Sequence, residues 1–421
     1  MSLAAVVLAA AVNAVAVAGH WEGTLQRGAA HVAASVDFPP GEPLHATFSA
    51  PDLGAVDVPL SAVREDGAVH FELIGDASTT SFDGTATGDA MSGTFRDGTS
   101  AGTFAFTRSS LSTDKPYATS DVTFAGGGGV TLAGTVYAPR SPGKHAALVF
   151  VHGSGPEGRW ASKPLADYVA RHGIVALVYD KRGVGASTGD WKTATTDDLI
   201  ADARGGVALL AKRADVDALR VGVYGHSQGA MLAPGIAQGN SGVNWIVAAD
   251  GPVGPEYRQD LWRVDTMLAS RYSGDALRDA EALYAEFVDT ARSGASHAQL
   301  RADVAKAAGA PWLDDLDIPA DDSWIWPFYR ATANYDDSAA WAAVRVPVLV
   351  LFGGNDRTVP EADSVAQTTA ILRKHDPAHV EVRVFPGADH TLRVPPATAD
   401  AWPLYADGFP GIIVEFARRA F

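Results

Sequence analysis

The sequence predicts two folded parts, a small all-β domain (a barrel or a sandwich) and then an α/β domain on a largely parallel sheet. Three observations support this fold class. Apolar and polar residues alternate across residues 21–107, which is the period of half-buried strands. Further along, short uninterrupted apolar runs alternate with helical stretches, and one of these runs leads into Gly-x-Ser-x-Gly. A chain of 421 residues is long enough for two domains, each with its own core.

The first eighteen residues predict an export signal. Residues 3–18 are an Ala, Val and Leu run interrupted only by Asn13, and Ala16-Val17-Ala18 fits the small-x-small cleavage rule. The run is too short to span a bilayer, which takes about 20 residues. It lacks the basic residues that normally precede such a run, so a buried helix or a wrongly assigned start codon is the alternative. We expect residues 1–18 to be a signal peptide, and the mature protein to be periplasmic or secreted, without an integral membrane segment.

Residues 19–112 predict an all-β accessory domain. Val69, Phe71 and Leu73 alternate with His70 and Glu72, and similar runs recur before and after them. Turn signals such as Asp-Gly separate these runs, which predicts about eight short antiparallel strands. The segment contains no catalytic constellation, so its expected roles are stability, substrate access or association.

The chain changes pattern near residue 115, after a predicted linker over residues 111–119. Residues 116–421 are expected to form the catalytic domain. Its predicted buried strands cover residues 146–152, 174–180, 220–226, 245–250, 348–352 and 380–385. Four glycines at 126–129 predict a hairpin loop between two further strands, because no helix and no Lys-Ser/Thr pair follows to complete a phosphate-binding loop.

The sequence around Ser227 is the most informative in the chain. An apolar strand runs into Gly225-His226-Ser227-Gln228-Gly229, and a helix begins directly after it. This strand–turn–helix context is the one that Gly-x-Ser-x-Gly requires in a nucleophile elbow. Side chains at positions 225 and 229 would collide with the neighbouring helix and strand, so glycine is expected at both. Ser227 is therefore the candidate nucleophile.

A serine hydroxyl needs a base that takes its proton, and the sequence downstream offers one. Asp356 follows the strand at 348–352, and His390 follows the strand at 380–385. The chain order Ser, Asp, His matches that of an elbow-type hydrolase. Asp389, Asp363 and Asp250 compete with Asp356 for the role of the acid, and Asp250 follows the strand after the nucleophile.

Taken together, residues from about 120 to 421 resemble the α/β-hydrolase superfamily, and most closely bacterial serine esterases and related peptidases with a small β domain in front. The motifs are the elbow, His152-Gly-Ser-Gly-Pro156 after one strand, and Tyr179-Asp-Lys-Arg-Gly-Val-Gly-Ala-Ser-Thr-Gly189 after the next. The resemblance implies an α/β-hydrolase fold with a helical cap insertion.

The resemblance also implies a role for each matching residue. Ser227 would be the nucleophile, His390 the general base and then acid, and Asp356 its orienting carboxylate. The backbone N–H groups of Ser154 and Gln228 would form the oxyanion hole. His152 is interpreted as fixing its loop, and Asp180 and Arg182 as a structural contact holding that loop, whereas Lys181 has no evident catalytic task.

The function expected on these grounds is hydrolysis of small-molecule carboxylic esters through an acyl-enzyme intermediate. Serine at position 227 argues against dehalogenases and epoxide hydrolases, which carry aspartate there. A serine peptidase or aminopeptidase, or a thioesterase, on the same triad is the alternative, and an aminopeptidase would need an acidic cap residue such as Glu256, Glu281 or Glu286. A noncatalytic binding protein is disfavoured by the complete set of motifs.

Residues 253–345 are predicted to be the cap, because the core sheet does not require them. Three amphipathic stretches predict helices at 258–272, 275–292 and 297–308. A cluster of aromatic residues follows, either lining a substrate pocket or packing the cap onto the core: Trp312, Trp324, Trp326, Phe328, Tyr329, Tyr335 and Trp341. The acidic residues at 314–322 lack the spacing of a calcium loop and are interpreted as a solvated face.

Composition excludes several other classes. With 33 basic and 49 acidic residues, a formal net charge of −16 disfavours a nucleic-acid partner. The absence of cysteine excludes disulfides, zinc–thiolate sites, iron–sulfur clusters and a thiol nucleophile. The expected site uses no cofactor and no metal, and the oligomeric state is left open.

Overall fold

The structure is a computed structural model that describes residues 17–41, 43–75, 78–110, 114–239, 241–374 and 380–420. Most of the predicted signal segment, residues 1–16, lies outside the described residues. The chain divides into two units. The first comprises the described residues up to Asp114 together with Pro396–Leu404, and the second comprises Lys115–Pro395 and the residues from Tyr405 onward.

The first unit is a single antiparallel sheet, and its described residues contain nine strands rather than the expected eight. The sheet is nearly barrel-shaped, with strand order β4-β3-β2-β1-β9-β8-β7-β6-β5. The strands are β1 (Gly19–Arg27), β2 (Ala30–Phe38), β3 (Thr47–Ala50), β4 (Ala55–Pro59), β5 (Ser61–Glu65), β6 (Val69–Ile74), β7 (Thr79–Thr87), β8 (Ala90–Asp97) and β9 (Ser100–Ser109). The all-β prediction for this part of the chain is confirmed.

Aromatic side chains fill the inner face of this sheet. Phe71 and Phe82 are stacked with their ring centroids 4.7 Å apart, and both are buried. Trp21 is fully buried and donates a hydrogen bond from Nε1 to the Val17 carbonyl at 2.7 Å. Val17 is itself fully buried, so a residue of the predicted signal segment contributes to the core.

A segment from late in the chain completes the first unit. We call residues 396–404 the strap. The Arg27 guanidinium donates hydrogen bonds to the carbonyls of Asp400 and Ala401, both at 2.8 Å. Trp402 packs 6.2 Å from the Phe95 ring, and the same guanidinium lies 4.4 Å from the Trp402 ring centroid. A buried arginine and an aromatic contact therefore hold the strap onto the sheet.

The second unit contains a sheet that is eight-stranded over the described residues, with order β10-β11-β13-β12-β14-β15-β16-β17. Its first two strands are antiparallel to their neighbours, and from β13 to β17 all pairings are parallel. The strands are β10 (Tyr117–Ala125), β11 (Thr131–Pro139), β12 (His145–Val151), β13 (Val175–Tyr179), β14 (Val216–His226), β15 (Trp245–Ala249), β16 (Val348–Gly353) and β17 (Val380–Phe385), with short strands β18 (Arg393–Val394) and β19 (Leu404–Tyr405) beyond them.

Helices cover both faces of this sheet, as the uninterrupted apolar strands predict. One buried cluster unites the sheet with α2, α3, α8 and α9, and a second unites it with α1 and α10. The helices are α1 (Lys163–Arg171), α2 (Thr196–Ala211), α3 (Gln228–Ile236), α4 (Glu256–Ala269), α5 (Gly274–Ser293), α6 (Ala298–Lys306), α7 (Ile325–Thr332), α8 (Ser338–Ala343), α9 (Glu361–Leu372) and α10 (Gly411–Arg419). The glycines at 126–129 form the predicted loop between the antiparallel strands β10 and β11.

Helices α4 to α8 lie between β15 and β16, within the segment predicted to be the cap. The segment has its own apolar core, in which Leu268, Phe287 and Trp326 are buried. The predicted helices at 258–272, 275–292 and 297–308 correspond to α4, α5 and α6, with small shifts at their ends. Among the described residues, no helix has the combination of length and apolar character needed to cross a membrane.

Candidate active site

Ser227 lies at a sharp turn between β14 and α3. Its backbone has φ 54° and ψ −119°, a region that a non-glycine residue rarely occupies. The Ser227 N–H donates to the Ala249 carbonyl at 2.9 Å, and its own carbonyl accepts from Ala230 N at 2.9 Å. These bonds hold the strained residue at the carboxyl end of the sheet, where α3 begins directly beneath it.

Two glycines make this turn sterically feasible. A Cβ on Gly225 would lie 2.1 Å from the Gly229 carbonyl oxygen. A Cβ on Gly229 would lie 2.4 Å from the carbonyl oxygen of Val151, at the end of β12. Both distances are far inside van der Waals contact, so the strand and the helix approach this closely only because neither position carries a side chain.

Asp356 and His390 are brought together from two loops that follow β16 and β17. His390 Nδ1 lies 2.7 Å from Asp356 Oδ2, and the Asp356 side chain is fully buried. The other carboxylate oxygen, Oδ1, accepts from the backbone N–H groups of Thr358 at 2.7 Å and Val359 at 3.0 Å. The carboxylate is thus fixed by its own loop and oriented toward the imidazole.

His226, which precedes the predicted nucleophile, contacts the loop of the predicted base. Its Nε2 lies 2.7 Å from the His390 carbonyl oxygen, and the two imidazole rings are 4.9 Å apart. A carbonyl can only accept, so this nitrogen carries the proton. Burial and the adjacent His390 ring lower the pKa of His226, which keeps its imidazole neutral. His226 occupies the second position of Gly-x-Ser-x-Gly, between Gly225 and Ser227, which is where a sequence search could have found it.

Asp250, the competing acid, occupies a different position. It is fully buried at φ 50°, and its Oδ1 accepts from Gly353 N at 2.8 Å. A carboxylate oxygen of Asp250 lies within 4.8 Å of a carboxylate oxygen of Asp356 and of a ring nitrogen of His390. The hydrogen bond of His390 Nδ1, however, is to Asp356. Burial is the main cause that raises the pKa of Asp250 well above its usual range, and the neighbouring Asp356 adds to it. Of the other competing acids, Asp389 accepts a hydrogen bond from the Thr391 N–H at 2.8 Å. Asp363 lies exposed on α9.

The loop after β12 carries Ser154, the predicted oxyanion donor, which lines a cavity together with Ser227. His152 donates from Nε2 to the Tyr179 carbonyl at 2.5 Å, and burial lowers its pKa to about 4. It is therefore a neutral residue that fixes the loop, as interpreted from the sequence.

The predicted contact between Asp180 and Arg182 is wrong. Asp180 instead pairs with Arg159, with Oδ2 2.9 Å from the guanidinium Nη2. Arg182 pairs with Asp202 on α2 at 2.7 Å, and both of these side chains are buried. Asp180 and Arg182 are two residues apart, and each finds its partner on a different element. The Asp180 carboxylate still accepts the Arg159 N–H at 3.0 Å and so anchors the loop that follows β12.

The cavity beside Ser227 has a volume of about 230 Å³. One side is formed by Ser154, Ser227 and Thr358. The other side is formed by residues at and around helices α4 and α7, namely Glu256, Tyr257, Gln259, Asp260, Arg263, Phe328, Tyr329, Thr332 and Ala333. The cavity is therefore lined by the turn at Ser227, by the loops after β12 and β16, and by the cap segment.

Glu256, the first residue of α4, places a carboxylate in the wall of this cavity. Its Oε1 accepts from Gln228 Nε2 at 3.1 Å. Its Oε2 is buried and accepts no hydrogen bond of normal geometry from the described residues; the Thr332 hydroxyl, which lies close enough to lower the pKa of Glu256, donates to the Phe328 carbonyl at 3.1 Å. Burial raises the pKa of Glu256 to about 7. The other acidic candidates from the sequence, Glu281 and Glu286, are not among the residues that line the cavity.

The aromatic cluster divides between the two roles considered. Phe328 and Tyr329 line the cavity. Trp312 and Trp326 are buried in the core of the cap segment, and Trp341 is buried under the sheet. Tyr335 also packs against the core beneath the sheet, and Trp324 packs on Trp191 at 4.8 Å with 42% of its surface exposed.

In the acidic stretch at 314–322, Asp315 pairs with Arg271 and Asp321 with Arg301, and both ion pairs are partly exposed.

Sequence reasoning missed Lys181, which is buried behind the loop of Ser154 and donates to the Gly153 carbonyl at 2.6 Å. The signal was its position two residues after the end of β13, at the sheet edge where the predicted site residues lie.

Comparison with known proteins gives a family match, a similar sequence and similar solved structures. The family model described as Hydrolase_4: Serine aminopeptidase, S33 matches residues 142–394. Esterase EstD of Thermotoga maritima is 25% identical over 277 residues, which cover 62% of this chain and 58% of that protein. The chain thus matches little more than half the length of that relative.

Among solved structures, the Pyrococcus furiosus esterase Pf2001 has a TM-score of 0.46 at 19% identity, covering 72% of this chain and 90% of that one. The proline iminopeptidase of Mycobacterium smegmatis has a TM-score of 0.46 at 18% identity, covering 72% of this chain and 98% of that one.

Proposed function

Because the chain belongs to the Hydrolase_4 family of serine aminopeptidases (S33), whose model matches 142–394, we propose that it is a serine hydrolase that cleaves carboxylic esters through an acyl-enzyme intermediate. The observation that carries the proposal is the strained Ser227, which lines a cavity at the carboxyl edge of the sheet. The hydrogen-bonded pair His390 and Asp356 lies at the same edge. The similarity to a protein named as an esterase supports esters as the substrate class.

In the proposed reaction, Ser227 Oγ attacks the ester carbonyl carbon while the imidazole of His390 takes its proton. Asp356 orients the imidazole and stabilises its charged form through the 2.7 Å hydrogen bond to Nδ1. The His390 imidazolium then returns the proton to the departing alkoxide oxygen, and the alcohol leaves. A water molecule, deprotonated by the same imidazole, attacks the acyl-enzyme and releases the acid.

The negative oxygen of each tetrahedral intermediate needs donors that are already in position. The backbone N–H groups of Ser154 and Gln228 are the proposed donors, the first on the loop after β12 and the second at the N-terminus of α3. The positive end of the α3 dipole lies at the N-terminus of this helix and also stabilises the negative charge on the oxygen.

Two measurements test this function. Initial rates on p-nitrophenyl acetate, butyrate and octanoate should reveal ester hydrolysis, and Ser227→Ala should reduce kcat by several orders of magnitude. A fluorophosphonate probe followed by peptide mass spectrometry should label Ser227 in the wild-type chain. Near-normal turnover by Ser227→Ala, or a label on another serine, would contradict the proposal.

An aminopeptidase is the second candidate, and Glu256 is the observation that favours it. Its unpartnered, buried Oε2 in the cavity wall could accept a hydrogen bond from the ammonium group of a substrate. Aminoacyl-p-nitroanilides assayed beside the esters separate the two candidates. If the aminopeptidase is correct, free-amine substrates are cleaved faster than their N-acetylated forms, and Glu256→Gln removes that preference.

We also propose that the chain is exported through residues 1–18. Cleavage after Ala18 would remove Val17, whose carbonyl accepts the Trp21 hydrogen bond. Mass spectrometry of the secreted fraction should find Gly19 as the first residue. An intact Met1 or Ser2 in the mature protein would contradict export by this signal.

A further inference from the structure

Lys181 carries a buried ammonium group surrounded by oxygen atoms from the two segments that flank the cavity. Only 3% of its surface is exposed. Its Nζ donates to the Gly153 carbonyl at 2.6 Å and to the Gly155 carbonyl at 3.2 Å, and it lies 3.4 Å from Gln228 Oε1. One side chain therefore contacts both the loop of Ser154 and the first residue of α3.

The contact with Gly153 bears directly on Ser154, because the two groups belong to the same peptide unit. In a planar trans peptide, the carbonyl of one residue and the N–H of the next point in opposite directions. An ammonium group that fixes the Gly153 oxygen from behind consequently fixes the direction of the Ser154 N–H on the other side. The bond to the oxygen also polarises the peptide and strengthens that N–H as a donor.

Glu157 and Gln228 add further hydrogen bonds to the loop and to Lys181. The Gly153 N–H donates to Glu157 Oε2 at 2.9 Å, and the Lys181 N–H donates to the Glu157 carbonyl at 3.2 Å. Gln228 is held by two partners, since its Oε1 faces Lys181 and its Nε2 donates to Glu256 at 3.1 Å. The loop and the start of α3 thus share one hydrogen-bonded network centred on the ammonium group.

A buried cation needs compensation, and the surrounding carboxylates supply it. Burial lowers the pKa of Lys181 to about 8, while Glu157, Glu256 and Asp202 oppose that shift. With three oxygen atoms around its nitrogen and three carboxylates nearby, the ammonium form is the one that the site accommodates.

We propose that Lys181 is a positioning residue that aligns the Ser154 N–H, through the Gly153 carbonyl, and the start of α3, through Gln228, for stabilisation of the oxyanion. The proposal rests on the proposed function, since it assigns Lys181 to the transition state of that reaction. It touches no substrate atom itself. Its loss should reduce kcat and leave the binding of the ground-state substrate nearly unchanged.

The cysteine-free sequence allows a chemical test of this proposal. Lys181→Cys removes the ammonium group. Alkylation of the unfolded variant with 2-bromoethylamine, followed by refolding, replaces it on a side chain of almost the same length. Lys192→Cys, at an exposed position on the loop before α2, is taken through the same steps as the matched control. Lys181→Met, which cannot be alkylated in this way, keeps the volume of the side chain.

The expected result is a fall in kcat of about 10- to 100-fold for Lys181→Met and Lys181→Cys, because removal of a whole oxyanion donor costs about 100- to 1,000-fold. KM should change by less than about threefold, and inhibition by a trifluoromethyl ketone should weaken in parallel with kcat/KM. Aminoethylation should restore most of the activity of Lys181→Cys and leave the Lys192→Cys control as active as before.

Two results would overturn the proposal. One is a folded Lys181→Met variant with kcat within twofold of the wild type. The other is aminoethylated Lys181→Cys that refolds to the wild-type melting temperature without regaining activity while the Lys192→Cys control does. Failure of the proposed function would look different, because the wild-type chain would then hydrolyse none of the esters, or Ser227→Ala would retain activity.

Discussion

The imidazole of His226 donates a hydrogen bond to the main-chain carbonyl of His390, with 2.7 Å between nitrogen and oxygen. This bond joins the turn that carries Ser227, the predicted nucleophile, to the loop of the predicted base, although 164 residues separate the two histidines. Since Ser227 follows His226 directly, the elbow and the histidine loop are held in one arrangement.

Replacement of His226 by Phe should therefore reduce kcat about 10- to 100-fold, because a displacement of about 1 Å in a reacting group has an effect of this size. The phenyl ring keeps the volume but cannot donate to the His390 carbonyl. His226→Gln retains an N–H at a similar reach and is the matched control, with a smaller expected loss. Steady-state kinetics on p-nitrophenyl butyrate provide the measurement, and equal activity of the Phe variant and the wild type would contradict this role.

Asp356 and Asp250 both lie beside His390, but we expect their contributions to catalysis to differ. Asp356→Asn should reduce kcat by about 10³–10⁴, because the amide cannot hold the imidazole in the required tautomer. Asp250→Asn should have a much smaller effect, since Asp250 bonds to Gly353 N and not to the imidazole. Asp363→Asn, at an exposed position on α9, is the control and should leave kcat unchanged. A larger loss for Asp250→Asn than for Asp356→Asn would assign the acid to Asp250 instead.

Gly229→Ala should impair both folding and activity. The added methyl group would lie 2.4 Å from the Val151 carbonyl oxygen and 2.7 Å from that of His152, so β12 and α3 would have to move apart. We expect a loss of about 1–3 kcal/mol in the free energy of unfolding. In the control Gly411→Ala, the new Cβ would lie 3.4 Å from the Tyr168 hydroxyl, which is ordinary contact. Urea denaturation should therefore show destabilisation in the first variant only.

The buried carboxyl of Glu256 predicts a pH dependence of stability. Its pKa is raised from 4.5 to about 7 in the folded chain, so the folded state binds more protons than the unfolded state between these values. The free energy of unfolding should consequently fall as pH rises from about 4.5 to 7. Glu256→Gln should remove this decline and be the more stable protein at pH 8, by up to about 3 kcal/mol.

Thermal denaturation of Glu256→Gln and the wild type at pH 5 and pH 8 measures this difference. Glu415→Gln, at an exposed position on α10, serves as the control and should show no such pH dependence. A melting-temperature difference between Glu256→Gln and the wild type that is the same at both pH values would contradict the burial argument.

Local sterics and strand order made the core of the site predictable. The elbow at Ser227 follows from a strand, two glycines and a helix in sequence, and Asp356 and His390 each lie in the loop that follows a strand. Because parallel strands end at the same edge of a sheet, these three positions could be grouped without a structure. The family and the α/β-hydrolase fold followed from the same motifs.

Partner choice between distant elements was not predictable. Arg182 bonds to Asp202 on α2 instead of its neighbour Asp180, and Lys181 was given no task although its ammonium group bonds to the Gly153 carbonyl. Both partnerships depend on which way a side chain leaves the loop after β13, and residue order does not contain that direction. The same reason left Glu256 unplaced, since its position in the cavity wall depends on how α4 packs.

The strap has a consequence for how the chain is made. Arg27 reaches its carbonyl partner at Asp400 across 373 residues. A ribosome that adds about 5–20 residues per second needs roughly 20–75 s to synthesise that interval. The strands around Arg27 therefore wait for a segment translated 373 residues later, and the β unit acquires its complete set of contacts only after that segment has been made.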